Sequence, residues 1–186
     1  WSSLLALSER GLPLIELKLP YIPNIPDRDI ARRCCHAFSR ISHLSSNDIN
    51  DLYIDVLIPY MTELNSIDIY CDDCTYIPLL TQHCQKLTKI NKYENNNRYN
   101  EDILSLCCAN LLLQEISVYG QGGAGFTDTE FVQLIHACPQ LHTLYLPYAT
   151  EITDTGILAL SEHCSALQML TIYRCHKVTE VAVLQL

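Results

Sequence analysis

The chain has 186 residues, 48% of them apolar, and a formal net charge of −9. That is enough apolar material for one continuous core, and too few clustered cations for a general nucleic-acid or anionic-membrane binder, which must neutralise phosphates. No apolar run is long enough to span a membrane, and no charged-then-apolar leader precedes a small-residue cleavage site.

In chain order one pattern recurs: apolar, two spacers, apolar, one spacer, apolar. It reads LIELKL (Leu14, Leu17, Leu19), FSRISH (Phe38, Ile41), LNSIDI (Leu64, Ile67, Ile69), LTKINK (Leu87, Ile90), LQEISV (Leu113, Ile116, Val118), LHTLYL (Leu141, Leu144, Leu146) and LQMLTI (Leu167, Leu170, Ile172). Taking Leu17, Ile41, Ile67, Ile90, Ile116, Leu144 and Leu170 as the middle residues gives steps of 24, 26, 23, 26, 28 and 26. A near-constant period in this range is the mark of a solenoid. Each copy is expected to be a short strand, apolar residues inward and alternate residues outward, followed by a helix on the opposite side.

Between the strands, Ile25-Pro26-Asp27 and Ile49-Asn50-Asp51 sit where helices should start, eight residues past Leu17 and Ile41. His43 and Lys92 fall where an inward apolar residue is expected, so those two strands should end early or shift. Thr75 to Pro78 should replace most of a helical turn, and the Asn-rich stretch 92–100 (KYENNNRYN) should be an exposed loop. Thr127 and Glu130 match a capping box, and Phe131, Leu134, Ile135 and Cys138 form one apolar helical stripe that Pro139 stops. Thr153-Asp154 and Val178 mark the next two helix starts. Neither end of the sequence has the polar character of a capping repeat, which predicts one domain over 1–186, about seven repeats long, cut from a longer array.

Of the ten cysteines, Cys35, Cys84, Cys138 and Cys164 lie six residues before a middle residue, and Cys34–Cys35 and Cys107–Cys108 are adjacent. Cysteine at a fixed repeat position behaves as a small buried hydrophobe, and adjacent pairs bridge poorly. Reduced thiols and a cytoplasmic or nuclear location follow as expectations.

Three residues past the seven middle positions stand Pro20, Leu44, Tyr70, Tyr93, Tyr119, Pro147 and Tyr173. Tyr70, Tyr93, Tyr119 and Tyr173 should line the outward face of the sheet, with Tyr145 one row over, flanked by Ser66, Asp68, Asn91, Ser117, Thr143 and Thr171. Tyrosine offers a large amphipathic contact area, so the row suits a protein or peptide groove, although tyrosine also favours half-exposed strands for reasons of packing alone.

Other motifs carry less. Gly120 to Gly125 matches GxGxxG, but the helix signal at Thr127-Asp128 begins after the last glycine and no acidic residue ends the following strand, where a ribose would need it. Cys71 and Cys74, with His83 and Cys84, could compose a zinc site, yet Cys84 already holds the repeated buried position. His136 and His163 recur in the last turns of their helices, where a histidine meets the helix dipole favourably. No nucleophile–base–acid set stands out, so no catalytic residue, metal or cofactor is expected.

Cys138-Pro139, Leu141, Leu144, Leu146 and Ile152-Thr153-Asp154, repeated as Cys164, Leu167, Leu170, Ile172, Cys175 and Val178-Thr179-Glu180, resemble the cysteine-containing leucine-rich repeats, most strongly from residue 103 onward. The resemblance implies a right-handed, ribonuclease-inhibitor-like α/β horseshoe with a parallel concave sheet and helices on the convex side. Many such proteins are the substrate-recognition part of F-box adaptors of SCF-type ubiquitin ligases. The resemblance therefore implies a protein substrate on the concave face, and SCF components reached through an F-box that these residues do not show. A structural scaffold that spaces other domains is the competing expectation.

Overall fold

The computed structural model describes residues 6, 9–10, 15–19, 29, 32–33, 35, 38–46, 54–70, 75–94, 100–120 and 126–186. The strands are β1 (Glu16–Leu19), β2 (His43–Ser46), β3 (Ser66–Ile69), β4 (Lys89–Glu94), β5 (Glu115–Gly120), β6 (Thr143–Tyr145) and β7 (Met169–Thr171). They form one seven-stranded sheet in sequence order, with every neighbouring pair parallel. The helices that follow β2 through β7 are α1 (Ile54–Leu57, continued by a 3-10 turn Ile58–Tyr60), α2 (Ile77–His83), α3 (Asn100–Ala109), α4 (Asp128–Ala137), α5 (Asp154–His163) and α6 (Glu180–Val183). From α2 onward each helix packs on the next in sequence. Paired strands lie ~4.8 Å apart and packed helices ~8–10 Å apart, so coils stacked in this way place the sheet on the inner, concave side.

The register passes through Leu17, Leu44, Ile67, Ile90, Ile116, Leu144 and Leu170. This corrects the second copy, whose middle residue is Leu44 and not Ile41. Ile41 and Leu44 are both fully buried, and the copy reads Ile41, Leu44, Ser46; a serine in the third apolar place hid the true frame. The steps become 27, 23, 23, 26, 28 and 26. Leu44 is therefore a core residue and has no place in the outward row, and His43 points outward. Phe38 takes the position six before the middle residue. Cys35, also buried, instead lies nine before it, as Cys107 does in its own copy.

Strand β4 does not end early. It is six residues long, with Lys92 paired in register between Ile69 and Val118 and fully buried. The Lys92 ammonium lies 3.9 Å from the Asp102 carboxylate on α3. Of the stretch expected to be a loop, Lys92 to Glu94 are thus strand and Asn100 opens α3, while 95–99 lie outside the described residues. Pro78 is likewise inside α2, in its first turn, where its missing N–H leaves no helical bond unmade. Ile25 to Asp27, Ile49 to Asp51, Pro20, Cys34, Cys71 to Cys74 and Gln121 to Gly125 lie outside the described residues.

The Thr-Asp pairs do more than cap their own helices. Thr127 and Glu130 make the expected capping box. In addition, the Asp128 carboxylate accepts from the Thr153 N–H (2.8 Å) and hydroxyl (2.6 Å) of the next coil. Asp154 does the same for Thr179, at 2.7 and 2.8 Å. Each aspartate thus ties one helix start to the following one, a coil-to-coil clamp in charge-assisted bonds.

Cys35, Cys84, Cys107, Cys138, Cys164 and Cys175 are buried free thiols, whereas Cys108 is exposed. Cys84 donates weakly to the Met61 carbonyl (3.6 Å) and Cys175 to the Leu146 carbonyl (3.8 Å). Asn110 fills the equivalent place in the fifth copy and donates to the Leu106 carbonyl at 3.0 Å. Burial pushes the Cys84 thiol up to about 12 and, with Cys138 beside it, the Cys164 thiol to about 11, both from an ordinary 9.0. Cys107 is raised as well, first by its contact with Cys138 and then by burial. These groups keep their protons in the fold after the unfolded chain has lost them. Their contribution to stability is complete below pH 9 and is lost as pH climbs toward 12. The melting temperature should therefore fall through this window, and a Cys84→Ala variant, compared with the parent at each pH by circular dichroism, should show a shallower fall.

Candidate partner-binding face

Residues that alternate with the buried ones project from the sheet in two rows. One runs Glu16, His43, Ser66, Lys89, Glu115, Thr143, Met169; the other runs Ser45, Asp68, Asn91, Ser117, Tyr145, Thr171. Beyond them come Tyr70, Tyr93, Tyr119 and Tyr173, each three residues past its middle residue.

The tyrosines form a continuous stack. Ring centroids of Tyr70 and Tyr93 are 4.2 Å apart with planes within 1°, and those of Tyr93 and Tyr119 are 4.6 Å apart within 8°. Tyr145 joins at 4.8 Å from Tyr119, tilted by 34°, and Tyr173 closes the row edge-on, 6.3 Å from Tyr145 with the two hydroxyls 3.4 Å apart. The first four rings are half-buried and Tyr173 is 47% exposed. Tyr145 starts from the neighbouring row, but Pro147 stands buried at its copy's tyrosine position, and the Tyr145 ring fills the gap that the proline leaves.

The flanking residues are less open than their sequence suggests. Ser117 is buried, covered because its neighbours on both sides carry larger side chains. Asp68 accepts from the Asn91 amide at 2.7 Å, and Lys89 pairs with Glu115 at 2.7 Å. Ser66, Thr143 and Thr171 are half-buried. The Tyr93 phenol is held above its ordinary range, first by burial, then by the Tyr70 hydroxyl and the Asp68 charge. The Tyr173 phenol is raised mainly by its contact with the Tyr145 hydroxyl. Both remain protonated donors at neutral pH.

Two features escape the sequence reading. Tyr148 and Arg174 hold equivalent places four past the middle residue, both at φ 62°, with the Arg174 guanidinium 5.2 Å from the Tyr148 ring centroid. Tyr148 meets Tyr173 edge-on at 5.3 Å, extending the aromatic surface. The shared offset was the available signal. The second feature is His43, whose Nδ1 is 2.9 Å from the Ser66 hydroxyl and whose Nε2 lies 3.7 Å from Asp68 and 4.0 Å from Glu16. The residue types are those of a hydrolytic triad, but the carboxylates are beyond hydrogen-bonding distance. The N–H groups of Asn65 and Ser66 already donate to the Ser42 carbonyl and are not free to hold an oxyanion.

On the helix side, His136 and His163 do end their helices as expected, with rings edge to face at 4.2 Å. Among the described residues no group of three or more His, Cys, Asp and Glu is placed to hold a metal ion, and no helix is long and apolar enough to cross a membrane.

Neither a family model nor a curated protein matches this sequence. Among solved structures, a chain of the crystal structure of the Rad7 and Elc1 complex in yeast superposes with a TM-score of 0.59 at 14% identity, over 98% of this chain and 58% of that one. An internalin, InlF of Listeria monocytogenes, gives 0.46 at 12% identity, over 99% and 61%. The chain thus spans less than two thirds of either. A sequence-ordered parallel sheet, helices stacked on its other side and the first of these likenesses together define the architecture: the chain is an α/β leucine-rich repeat solenoid.

Proposed function

We propose that this solenoid is a recognition module and not an enzyme, holding a protein partner on its concave sheet as the substrate-recognition repeats of an F-box, SCF-type ubiquitin ligase adaptor of the cysteine-containing class. The observation that carries the first part is the tyrosine stack, five rings from five successive coils on one outward face. Such a row presents a broad, rigid contact surface whose ordering is already complete before a partner arrives, and buried aromatic anchors dominate interface energetics. The ligase role is supported by the Cys-Pro and Ile-Thr-Asp repeat signature, and the likeness in fold to a chain taken from a protein–protein assembly is compatible with it. The buried free thiols suit a reducing compartment, cytoplasm or nucleus.

A photocrosslinker placed at Tyr119 in the whole protein should capture the partner, and one at Gln133 on α4 should not. Tyr119→Ala with Tyr173→Ala should then weaken binding of that partner at least ~30-fold while the thermal melt stays cooperative. A folded double variant that binds as the parent does contradicts the concave-face reading. For the ligase role, the half-life of the captured partner should lengthen when the Ala variant replaces the parent in cells; unchanged turnover contradicts it.

A further inference from the structure

Resting on the concave-face reading, we propose that Arg174 makes the β7 end of that face an acid-reading site. Its guanidinium takes the side-chain carboxylate of an Asp or Glu in the partner segment that covers the tyrosine row. The chain has 21 acidic residues against 12 lysines and arginines, so a cation beside the row would be expected to find an internal partner. Lys89 does, with Glu115 at 2.7 Å, and Lys177 does, with Glu151 at 2.7 Å. Arg174 does not. It is exposed, no carboxylate stands within ion-pair distance of it, and its guanidinium lies over the Tyr148 ring, 5.2 Å from the centroid. Tyr148 in turn meets Tyr173, the last ring of the row, edge-on at 5.3 Å.

The backbone sets this cation in place before any partner arrives. The Tyr148 N–H donates to the Tyr173 carbonyl at 2.9 Å, which ties the two turns together and brings Arg174 against Tyr148. Both Tyr148 and Arg174 sit at φ 62°, a left-handed conformation that disfavours any residue with a Cβ. Glycine would hold either turn with less strain, so what the strained positions retain is their side chains. Contact with a ring engages the face of a guanidinium and leaves its in-plane N–H fork for a carboxylate, which it meets bidentately.

The surrounding charge selects the anion and its place. Glu180 lines the same cleft as Arg174 without pairing with it. One guanidinium in that company suits a singly charged carboxylate; a doubly charged phosphate calls for a cluster of cations. The carboxylates of the sheet do not neutralise Arg174. Glu115 is two strands from β7 and held by Lys89, and Asp68 is four strands away, roughly 19 Å at ~4.8 Å per strand and beyond the ~8 Å screening length of physiological salt. An acid of the partner segment is therefore repelled over β3 and attracted at β7.

The test starts from the protein captured through Tyr119. A second crosslinker at Tyr148 maps the segment of that protein lying at the β7 end, and the probe is a synthetic peptide of this segment, with each Asp or Glu changed in turn to its amide. One acid-to-amide change should weaken the peptide ~5- to 30-fold toward the parent and leave its affinity for Arg174→Gln unchanged. Arg174→Gln should itself lose the same factor toward the unaltered peptide. Arg174→Gly, which suits the positive φ, should lose it too with no fall in melting temperature, so the loss is not one of folding. A segment without Asp or Glu, an Arg174→Gln variant that binds as the parent does, or amide changes that weaken both proteins equally each overturns the proposal. So does binding that phosphatase treatment of the captured protein abolishes, which assigns the anion to phosphate. If Arg174→Gln keeps the captured protein while the Tyr119→Ala, Tyr173→Ala variant loses it, acid reading falls and concave-face binding stands. If Tyr119 captures nothing, or neither variant loses the partner, both fall.

Discussion

Replacing the ion pair as a whole, Lys92→Met together with Asp102→Leu, should raise the melting temperature. Lys92 is fully buried in the middle of β4, between Ile69 and Val118 in the sheet register, and its ammonium is 3.9 Å from Asp102. At that distance the pair is an ion pair of long geometry, with Asp102 still 23% exposed. Taking both charges out of water costs several kcal/mol each, and swapping buried ion pairs for apolar groups of equal volume is often stabilising by ~1–4 kcal/mol. Methionine matches the lysine stem in length and adapts to irregular space. For a domain of this size each kcal/mol is worth ~2–4 °C, so a rise of about 3–10 °C is expected by differential scanning calorimetry. A fall of similar size would show that the lysine satisfies buried acceptors that the core requires.

Gly156→Ala should destabilise the domain, although alanine is the better helix former by ~1 kcal/mol. A Cβ on Gly156 would stand 2.6 Å from Asp128 Oδ1, 3.1 Å from Ile152 Cγ2 and 3.2 Å from Phe131 Cδ1. Asp128 is the residue that accepts both the N–H and the hydroxyl of Thr153, so the new methyl pushes the clamp away from its partner. Asp128→Ala removes the clamp directly. Hydrogen bonds to a charged group contribute ~1.5–3 kcal/mol each; with Asp128 and Thr153 half-buried rather than buried, a total loss of about 2–4 kcal/mol is expected. The Gly156→Ala loss should shrink when Asp128 is already alanine, a coupling that a double-mutant cycle in urea reads as non-additivity. Additive effects would mean that the glycine matters for the packing of Ile152 and Phe131 alone.

The repeat and the architecture were legible because inward apolar residues at fixed spacing report a buried sheet face directly. Five of the tyrosines were legible for the same reason, since an offset from the buried residue sets the side of the strand. Where one residue broke the pattern, the reading broke with it. Ser46 in an apolar position displaces the apparent frame of the second copy by three residues, and Lys92 reads as the end of a strand because a charged core residue runs against composition. The Asp128–Thr153 and Asp154–Thr179 clamps were invisible for another reason: a Thr-Asp pair reads as a local helix start, and nothing in one copy says that its aspartate bonds to the next. Tyr145 entered the stack across rows, and Tyr148 with Arg174 entered through positive φ values, both matters of side-chain reach and backbone conformation that spacing does not encode.

The account depends most on five tyrosine rings being open to solvent on the inner sheet and covered when the partner binds. Hydroxyl-radical footprinting with mass spectrometry measures this residue by residue. Tyr70, Tyr93, Tyr119, Tyr145 and Tyr173 should oxidise in the free protein, Tyr173 fastest, and become protected in the complex, while exposed Leu111 and Leu112, outside the concave rows, keep their reactivity. Rings that fail to react in the free protein, or that react equally in the complex while Leu111 and Leu112 become protected, would contradict it.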